Sequence, residues 1–396
     1  MSDNSNNKYE FITDEYWQTF IRTNKNKSLE NILFSLDKNT PIDKGILADQ
    51  FIGRKIIRKK IPSWLNQPGV IFPPKINLEQ SSSELTARYK SSLFVGDSFI
   101  DITGGLGVDA YFMGQSFEQA IHCEVNRDLH FITKYNYTLF NSNVKTILSD
   151  GVQYLKESHQ KFDLIYLDPS RRNEQNNKLV QVEDYQPDVL SIIDTLFSKT
   201  ENILLKTSPL LDIKQAIRLI PNIKQLHIIS IDNECKELLF ILNKSYQTRI
   251  SIKCIDLSQD VSFNFKLEDE NQVCKFSLPM NYLYEPNVSI LKAGAFNSVG
   301  NKLNIKKIHP NSHLYTSKNR LNFPGRSFKI IKVVKFDKKK IIPFLENNKA
   351  NITKRNFPLT VSQIRKKTGF KEGGDVYLFA TTLMNNKLRI IICQKV

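Results

Sequence analysis

A cluster of three glycines constrains the fold of this chain more than any other feature of its sequence. Gly104, Gly105 and Gly107 follow an apolar run that begins at Phe99, and a segment with helical character starts at Ala110. Glycine adopts positive φ at low cost and lets a ligand approach the bare backbone. A helix start offers free N–H groups and the positive end of the helix dipole. This order predicts a cradle for a nucleotide-like ligand. A tight strand-to-helix turn is the alternative, since the spacing is not the Gly-x-Gly-x-x-Gly of dinucleotide-binding proteins.

Three further predicted strands end in acidic residues. Apolar runs at 119–123, 144–148 and 162–167 lead into Glu124, Asp150 and Asp168, respectively. Ligands of open α/β sheets bind at the carboxyl ends of the strands, where an acidic residue after the second strand accepts hydrogen bonds from a ribose diol. An acidic residue after the third strand can meet an adenine amino group. We therefore expect all four strand ends to line one binding edge.

The joint pattern resembles the class I S-adenosylmethionine-dependent methyltransferases. The resemblance implies an α/β fold with a Rossmann-like seven-stranded sheet, and S-adenosyl-L-methionine as the cofactor. It also implies that the methionine part of the cofactor is surrounded by Asp101, Gly104, Gly105 and Gly107. By the same resemblance, Glu124 binds the ribose, Asp150 binds the adenine, and Asp168 and Pro169 lie beside the methyl acceptor.

The turn Asp168–Arg172, Asp-Pro-Ser-Arg-Arg, is the predicted acceptor side. During methylation of an exocyclic base nitrogen, the Asp168 carboxylate and the carbonyl of Pro169 or Ser170 can accept the hydrogens of the amine as positive charge develops. Families that act on such nitrogens often have Asp-Pro-Pro-aromatic here, and this turn lacks the stacking ring. Arginine can stack on a base or bind phosphate. We therefore predict that Asp168, Pro169 and Ser170 are catalytic and that Arg171 and Arg172 bind substrate.

The same turn is also similar to that of RNA uracil C5-methyltransferases, which have Asp-Pro-x-Arg. Those enzymes need a cysteine nucleophile after a later strand. At the matching strand end this chain has Lys206–Pro209, Lys-Thr-Ser-Pro, without a cysteine. The sequence therefore argues against covalent C5 methylation.

The chain divides into four predicted regions. Residues 1–92 are expected to be mainly helical, and residues 93–258 to form the methyltransferase domain. An antiparallel hairpin of segments 238–243 and 249–255 is expected to close its parallel sheet. A small ferredoxin-like α+β domain is expected at 277–325 and a basic THUMP-like domain at 326–396. The last two assignments come from a resemblance to bacterial class I methyltransferases that carry both domains. The residues that carry this resemblance are Asp168–Arg172, Glu285–Pro286, Lys292–Ala295, Phe323–Arg326 and Gly373–Ala380.

The positive charge of the chain is concentrated near its carboxyl end. The formal net charge is +16 over 396 residues. Residues 301–396 hold 22 Lys and Arg against 4 Asp and Glu, a net charge of +18, so the preceding 300 residues are close to neutral. Such a field attracts polyanions, nucleic acid above all. A lysine-rich solvated surface that reflects genomic composition is the alternative interpretation.

Several classes of protein are disfavoured by the sequence. No apolar run approaches the roughly 18 residues of a membrane span, and the amino-terminal residues lack the apolar core of a signal peptide. The five cysteines form no Cys-x-x-Cys pair, and the six histidines do not combine with them into a zinc-binding motif. We therefore expect a cytoplasmic protein with no metal site and no membrane partner.

These observations predict an S-adenosylmethionine-dependent methyltransferase that modifies a base in structured RNA, with an exocyclic or ring nitrogen favoured as acceptor. RNA is the expected partner, bound through the basic C-terminal region. One alternative is an RNA-binding protein whose methyltransferase fold senses cofactor or is inactive. Another alternative is a methyltransferase for a small molecule or a protein.

Overall fold

The computed structural model describes residues 7–36, 42–171 and 182–396. The chain forms two compact units. Unit 1 comprises residues 1–223 and 239–247, and unit 2 comprises residues 224–238 and 248–396. None of the helices in the described ranges is long and apolar enough to cross a membrane.

Unit 1 begins with a helical region. Its five α-helices are α1 (Glu15–Asn24), α2 (Leu29–Phe34), α3 (Lys44–Lys60), α4 (Lys75–Gln80) and α5 (Glu84–Ser91). Side-chain oxygens of Asp14, Ser28, Asp43 and Ser83 accept hydrogen bonds from first-turn N–H groups and so cap four of these helices. The described residues up to position 91 therefore form mainly helices.

The rest of unit 1 alternates strands and helices. The elements are β1 (Gly96–Asp101), α6 (Val108–Gly114), β2 (Phe117–Glu124), α7 (Arg127–Leu139), β3 (Val144–Leu148), α8 (Gly151–Glu157), β4 (Leu164–Leu167), β5 (Ser170–Arg171), β6 (Tyr185–Gln186), α9 (Val189–Lys199), β7 (Asn202–Thr207) and α10 (Ile213–Leu219). The N-terminal helices share one hydrophobic core with α6 and α7, in which Trp64, Phe72, Val108, Phe112 and Ile132 are buried. The helical region and the α/β elements of unit 1 therefore fold around common side chains.

Five strands of unit 1 pair in parallel. β1 pairs with β2 and β4, β2 pairs with β3, and β4 pairs with β7. Along the chain, β2 and β3 are thus added on one side of β1, and β4 and β7 are then added on its other side. Open α/β sheets bind ligands beyond the carboxyl ends of their strands, at the point where the strand order reverses. In this sheet that point lies between β1 and β4, which end at Asp101 and Leu167.

The chain continues into elements that belong mainly to unit 2. They are β8 (Ile223–Ile231), β9 (Glu234–Asn243), β10 (Ser251–Asp256), β11 (Val261–Lys266), β12 (Tyr282–Pro286), α11 (Val288–Ala293), α12 (Phe296–Lys302), β13 (Lys306–Lys307), β14 (Tyr315–Ser317), β15 (Gly325–Val334), α13 (Lys338–Ile341), β16 (Asn351–Arg355), α14 (Val361–Thr368), β17 (Val376–Thr382) and β18 (Leu388–Lys395). The sheet that contains β1 has nine strands instead of the predicted seven.

The predicted hairpin of segments 238–243 and 249–255 is wrong. β10 pairs in parallel with β8 and antiparallel with β11. The tight turn lies earlier, at Asp232 and Asn233, which have φ of 51° and 59°. Two consecutive residues with positive φ form the two-residue turn whose twist matches a hairpin, and Asp and Asn tolerate this conformation well. The chain therefore reverses directly between β8 and β9, and β10 and β11 account for the larger strand count.

A second sheet lies wholly within unit 2. Its seven strands follow the order β13-β14-β12-β15-β18-β17-β16. β12 and β15 pair antiparallel, with Glu285 opposite Arg326. The carboxylate of Glu285 is 2% exposed and forms ion pairs with Arg326 and, at 2.9 Å, with the guanidinium of Arg355. This sheet therefore runs without interruption across the predicted boundary between residues 325 and 326.

Candidate active site

The glycine turn joins β1 to α6. Gly104, Gly105 and Gly107 have φ of 71°, 85° and 73°, the left-handed region that disfavours other residues. A Cβ atom on Gly104 would lie 2.4 Å from Oε2 of Glu124 and 2.7 Å from the carbonyl oxygen of Cys123. A Cβ atom on Gly105 would have no atom within 4 Å. Gly104 is thus required for packing against β2, whereas Gly105 presents bare backbone to open space.

The two glycines should respond differently to alanine. We expect Gly105→Ala to lower the free energy of unfolding by about 1–2 kcal/mol, the cost of positive φ alone. Gly104→Ala adds the clash with Glu124 and the β2 backbone, so we expect a loss of about 2–5 kcal/mol. Urea unfolding followed by tryptophan fluorescence measures both. Equal losses in the two variants would show that the close approach of Gly104 to β2 is unimportant.

Glu124 is the last residue of β2 and holds the glycine turn in place. It is only 5% exposed. Its Oε2 accepts a hydrogen bond from the N–H of Gly105 at 2.5 Å, and its Oε1 accepts one from the N–H of Asn126 at 2.5 Å. The carboxylate predicted to bind a ribose therefore lies directly against the turn predicted to hold the rest of the ligand.

Asp101 connects the glycine turn to the predicted acceptor side. Its carboxylate is buried, and Oδ1 accepts hydrogen bonds from the N–H and the hydroxyl of Thr103, both at 3.0 Å. Its Oδ2 lies 3.2 Å from Nδ1 of the buried His122. The Thr103 hydroxyl oxygen in turn accepts a hydrogen bond from the N–H of Asp168 at 2.8 Å. Asp101 therefore fixes the start of the turn and, through Thr103, the backbone of Asp168.

The neighbouring strand ends carry exposed apolar side chains beside carboxylates. Val125 and Leu148 are 64% and 45% exposed. The N–H of Ser149 donates to the carbonyl oxygen of Glu124 at 3.1 Å and so holds the two strand ends together. Asp150 is exposed and caps α8 by accepting a hydrogen bond from the N–H of Gln153 at 2.9 Å. Apolar surface next to hydrogen-bond acceptors suits a flat heteroaromatic ring with an amino group.

Asp168 begins the turn after β4. Its side chain is 39% accessible, and its Oδ2 lies 2.5 Å from Nζ of Lys206, near the end of β7. Burial raises the pKa of the Asp168 carboxyl, and the ammonium group of Lys206 offsets part of that rise. Pro169 is buried and Ser170 is exposed. Arg171 is the second residue of β5, and Arg172 lies outside the described residues.

Asp168 belongs to a larger group of charged and polar side chains, which we call the acceptor cluster. Its members are Ser82, Lys90, Asp109, Tyr166, Asp168 and Lys206. At its centre, Oδ2 of Asp109 accepts hydrogen bonds from Ser82 at 2.7 Å and from Tyr166 at 2.6 Å. Nζ of Lys90 lies 3.1 Å from Oδ1 of Asp109, and Nζ of Lys206 lies 3.5 Å from its Oδ2. The cluster thus pairs two lysines with two aspartates.

The electrostatics of Asp109 depend on both lysines. Burial by itself raises the pKa of a carboxyl, but the nearby ammonium groups of Lys90 and Lys206 outweigh it and hold the pKa of Asp109 well below its usual range. The Asp109 carboxylate is therefore the ionised centre that compensates two ammonium groups, one of which belongs to the fully buried Lys90.

Sequence reasoning missed most of the acceptor cluster. Lys206 follows three apolar strand residues, Ile203–Leu205, and a lysine directly after such a run was a signal that a buried charge partner exists. The sequence around Lys90 did not indicate that this lysine is buried, because a lysine in the last turn of a helix is ordinarily solvated and interacts favourably with the helix dipole. Ser82 comes from the loop before α5, more than 80 residues from Asp168. Sequence position alone does not place it at this edge.

Other reactive groups are not concentrated at this edge. Within residues 7–36, 42–171 and 182–396, no three or more His, Cys, Asp or Glu side chains are grouped as metal ligands would be. All five cysteines are free, and Cys235 is the least buried of them. Burial nevertheless raises the pKa of the Cys235 thiol to about 11. Thiolate chemistry of the C5-methyltransferase kind therefore has no support in the described site.

Parts of the chain match known families. Residues 282–324 match a ferredoxin-like domain, and residues 325–395 match a THUMP domain-like family. The comparison with curated proteins gives no match. Among solved structures, the chain is similar to a putative methyltransferase from Porphyromonas gingivalis W83, with a TM-score of 0.87 and 29% identity. That similarity covers 96% of this chain and 97% of the other.

Two further solved structures are more distant. TrmK of M. capricolum in complex with S-adenosyl-homocysteine is 18% identical, with a TM-score of 0.32, over 41% of this chain and 68% of that one. An rRNA methylase from Streptococcus thermophilus is 13% identical, with a TM-score of 0.30, over 41% of this chain and 95% of that one. Similarity at this level has no bearing on the activity of this chain.

Proposed function

We propose that this chain, which combines the class I methyltransferase fold with a ferredoxin-like and a THUMP-like domain, is an S-adenosylmethionine-dependent methyltransferase that acts on structured RNA. The observation that carries the proposal is the position of the glycine turn, Glu124 and Asp168 at the carboxyl ends of neighbouring parallel strands. Ligands bind to α/β sheets at that edge. The match of nearly the whole chain to a structure described as a methyltransferase agrees with this proposal.

The residues at the edge fit the proposed cofactor. Open space beside Gly105 admits a ligand against the backbone, and the N-terminal end of α6 favours a carboxylate there. The Glu124 carboxylate accepts hydrogen bonds from a ribose diol, and Asp150 accepts one from an adenine amino group. Val125 and Leu148 supply the apolar contact for the adenine ring. When bound, the cofactor supplies a methyl group on a positively charged sulfur.

The acceptor side orients the group that receives the methyl. Methyl transfer needs an in-line approach with water excluded, and it needs little covalent assistance from the protein. The accessible carboxylate of Asp168 can accept a hydrogen bond from the incoming nucleophile. A base nitrogen, exocyclic or in the ring, is the acceptor predicted from the sequence of the turn. Arg171 and Arg172 remain predicted contacts to that substrate.

RNA as the substrate is supported by the charge of the C-terminal region. Residues 301–396 have a net charge of +18, and the THUMP domain-like match covers residues 325–395 within that range. THUMP-like is a structural likeness, so this support is indirect. An inactive RNA-binding protein is disfavoured because the carboxylates at the strand ends and the open space at Gly105 are present. A small-molecule substrate would not require the positive field.

The first test concerns the cofactor. Glu124→Ala removes two charge-assisted hydrogen bonds to the proposed ribose, each about 1.5–3 kcal/mol, so we expect the affinity for S-adenosylmethionine to fall by about 100-fold or more. Isothermal titration calorimetry on the full chain measures it. Glu118→Ala, an exposed glutamate on the same strand, is the matched control and should bind like the wild type. Unchanged affinity in a folded Glu124→Ala variant would remove Glu124 from the site.

The second test concerns the substrate. RNA isolated from a strain that lacks the gene should accept tritiated methyl groups from S-adenosylmethionine when the purified chain is added. RNA from the parent strain should accept far fewer, because its sites are already methylated. Equal labelling of both RNA pools, or labelling of neither, would contradict the proposed activity on RNA.

A further inference from the structure

The acceptor cluster points to a particular substrate atom. We infer that the methyl acceptor is a ribose 2′-hydroxyl of RNA and that Lys206 is the group that takes the proton from it. This inference rests on the proposed function, since it concerns the same site and the same cofactor. The sequence of the turn alone predicts a base nitrogen as the methyl acceptor. In this inference the acceptor is a hydroxyl oxygen instead.

The sign of the charge beside Asp168 is the first argument. A neutral amine gains positive charge when it is methylated, so a cation next to it raises the barrier. A hydroxyl oxygen gains negative charge as it loses its proton, so a lysine that takes this proton and becomes an ammonium group beside it lowers the barrier. Nζ of Lys206 lies 2.5 Å from the carboxylate that the substrate must approach. This arrangement favours an oxygen acceptor over an amine.

Lys206 is also placed where it can exchange a proton with a bound substrate. Nζ of Lys206 donates to the hydroxyl oxygen of Ser82 at 3.0 Å, and Nζ of Lys90 donates to the same oxygen at 3.3 Å. The Ser82 hydroxyl therefore joins the two lysines through one oxygen. Lys90 is fully buried against Asp109, whereas 11% of the Lys206 side chain is accessible. Lys206 is therefore the lysine that a substrate can reach.

The turn at residues 168–172 also offers a nucleobase no aromatic side chain to stack on. The residues at 168–172 include no aromatic side chain, and Ser170 is exposed where a stacking ring would be expected. An aromatic ring is the usual surface on which a base with an exocyclic amine stacks. A ribose hydroxyl presents its oxygen from the sugar, so the base need not be stacked in this turn. RNA has such a hydroxyl at every ordinary nucleotide, and DNA lacks it.

The proposed step moves one proton to Lys206 and one methyl group to the hydroxyl oxygen. Asp168 accepts a hydrogen bond from Lys206 and holds the amine of that residue towards the hydroxyl. Lys206 is an ammonium group in the free protein and gives up one proton to solvent before the transfer. Its neutral amine then takes the hydroxyl proton and becomes an ammonium group again, while an oxygen lone pair forms the bond to the methyl carbon. The carbon–sulfur bond of the cofactor breaks, and its electron pair remains on sulfur, giving S-adenosylhomocysteine. Lys206 then releases its proton to water after the product leaves.

The identity of the methylated nucleoside tests the inference. RNA from the deletion strain is labelled by the full chain with tritiated S-adenosylmethionine and divided into two samples. We expect label in 2′-O-methylnucleosides after enzymatic digestion and in alkali-resistant dinucleotides after alkaline hydrolysis, because the methylated 2′-oxygen cannot attack the phosphate. Label in a base-methylated nucleoside overturns the inference and leaves the proposed function intact. Absence of label in RNA overturns both.

The role of Lys206 needs its own variants. Lys206→Met removes the amine, and Lys206→Arg keeps the charge beside Asp168 but cannot act as a base near neutral pH. We expect at least a 100-fold loss of rate in both variants, with affinity for S-adenosylmethionine, measured by calorimetry, within threefold of the wild type. The control is Lys214→Met, an exposed lysine on α10. Wild-type activity in Lys206→Arg would overturn the assignment of Lys206 as the proton acceptor.

Discussion

Asp109→Asn is expected to lower the free energy of unfolding of unit 1 by about 3–5 kcal/mol at neutral pH, the cost of leaving a buried charge without its partner. Asp109 is 7% exposed and compensates the ammonium groups of Lys90 and Lys206. The two tryptophans, Trp17 and Trp64, both belong to unit 1. Urea unfolding followed by tryptophan fluorescence therefore reports on this unit.

The loss of stability in the Asp109→Asn variant should also depend on pH. The pKa of Asp109 in the folded protein is held well below its usual range, so its ionised form stabilises the fold above the unfolded pKa of about 3.9. That contribution decreases as pH falls from the unfolded pKa towards the folded one. The difference between wild type and Asp109→Asn should be full at pH 7 and shrink below about pH 4. Asp97→Asn, an exposed aspartate on β1, is the control and should change stability little. A fully stable Asp109→Asn variant would mean that the two lysines are not paired as described.

The α/β fold could be predicted because each strand of unit 1 carries its own local signal. Apolar runs end in Asp101 and Glu124, and the structure ends β1 and β2 at these two residues. Parallel strands bring such ends to one edge, so their proximity followed from topology alone. The proposed contacts of these residues with a ligand remain predictions.

The acceptor cluster could not be predicted in the same way. Lys90 and Asp109 lie on two helices whose residues contact each other only in the tertiary structure, and each has an ordinary solvated role on its own helix. Buried lysines are rare unless they are paired, so their recognition requires the partner to be known. One partner of Lys206, Asp168, is 38 residues away on another strand end. The charge sign at the acceptor side was therefore missing from the sequence argument, which favoured a base nitrogen.

The sheet of unit 2 shows a second limit of prediction from the sequence. The regions predicted at 277–325 and 326–396 share one seven-stranded sheet, and the buried Glu285 on β12 is paired with Arg326 and Arg355. Pairing between distant segments was not visible in local composition. It also determines which experiment is informative, because a truncation at residue 326 would remove β15 from β12 and leave Glu285 unpaired. Substitution of exposed side chains keeps the sheet intact.

Affinity for single-stranded RNA is expected to fall by about 10²–10⁴ between 50 and 200 mM salt if six to ten phosphates are contacted, since each contact releases counterions. On single-stranded RNA, a plot of log affinity against log salt should be linear, with a slope of about −0.7 per phosphate. We define a lysine patch on α13 and α14 for the test. Its members, all exposed, are Lys338, Lys339, Lys340, Lys366 and Lys367. Alanine at all five positions should reduce the slope by about 0.7 for each lysine that contacts phosphate.

A matched control separates a docking surface from charge in general. The control replaces five exposed lysines of unit 1 by alanine and so removes the same total charge. These residues are Lys134, Lys145, Lys156, Lys161 and Lys214. If the lysine patch docks RNA, its variant should lose far more affinity than the control in filter binding at 50 mM salt, while both bind S-adenosylmethionine like the wild type. Equal losses would indicate non-specific attraction by net charge. Wild-type protein that binds the cofactor but shows no salt-dependent RNA affinity would favour a small-molecule or protein substrate, because the +18 region would then have no polyanion to neutralise.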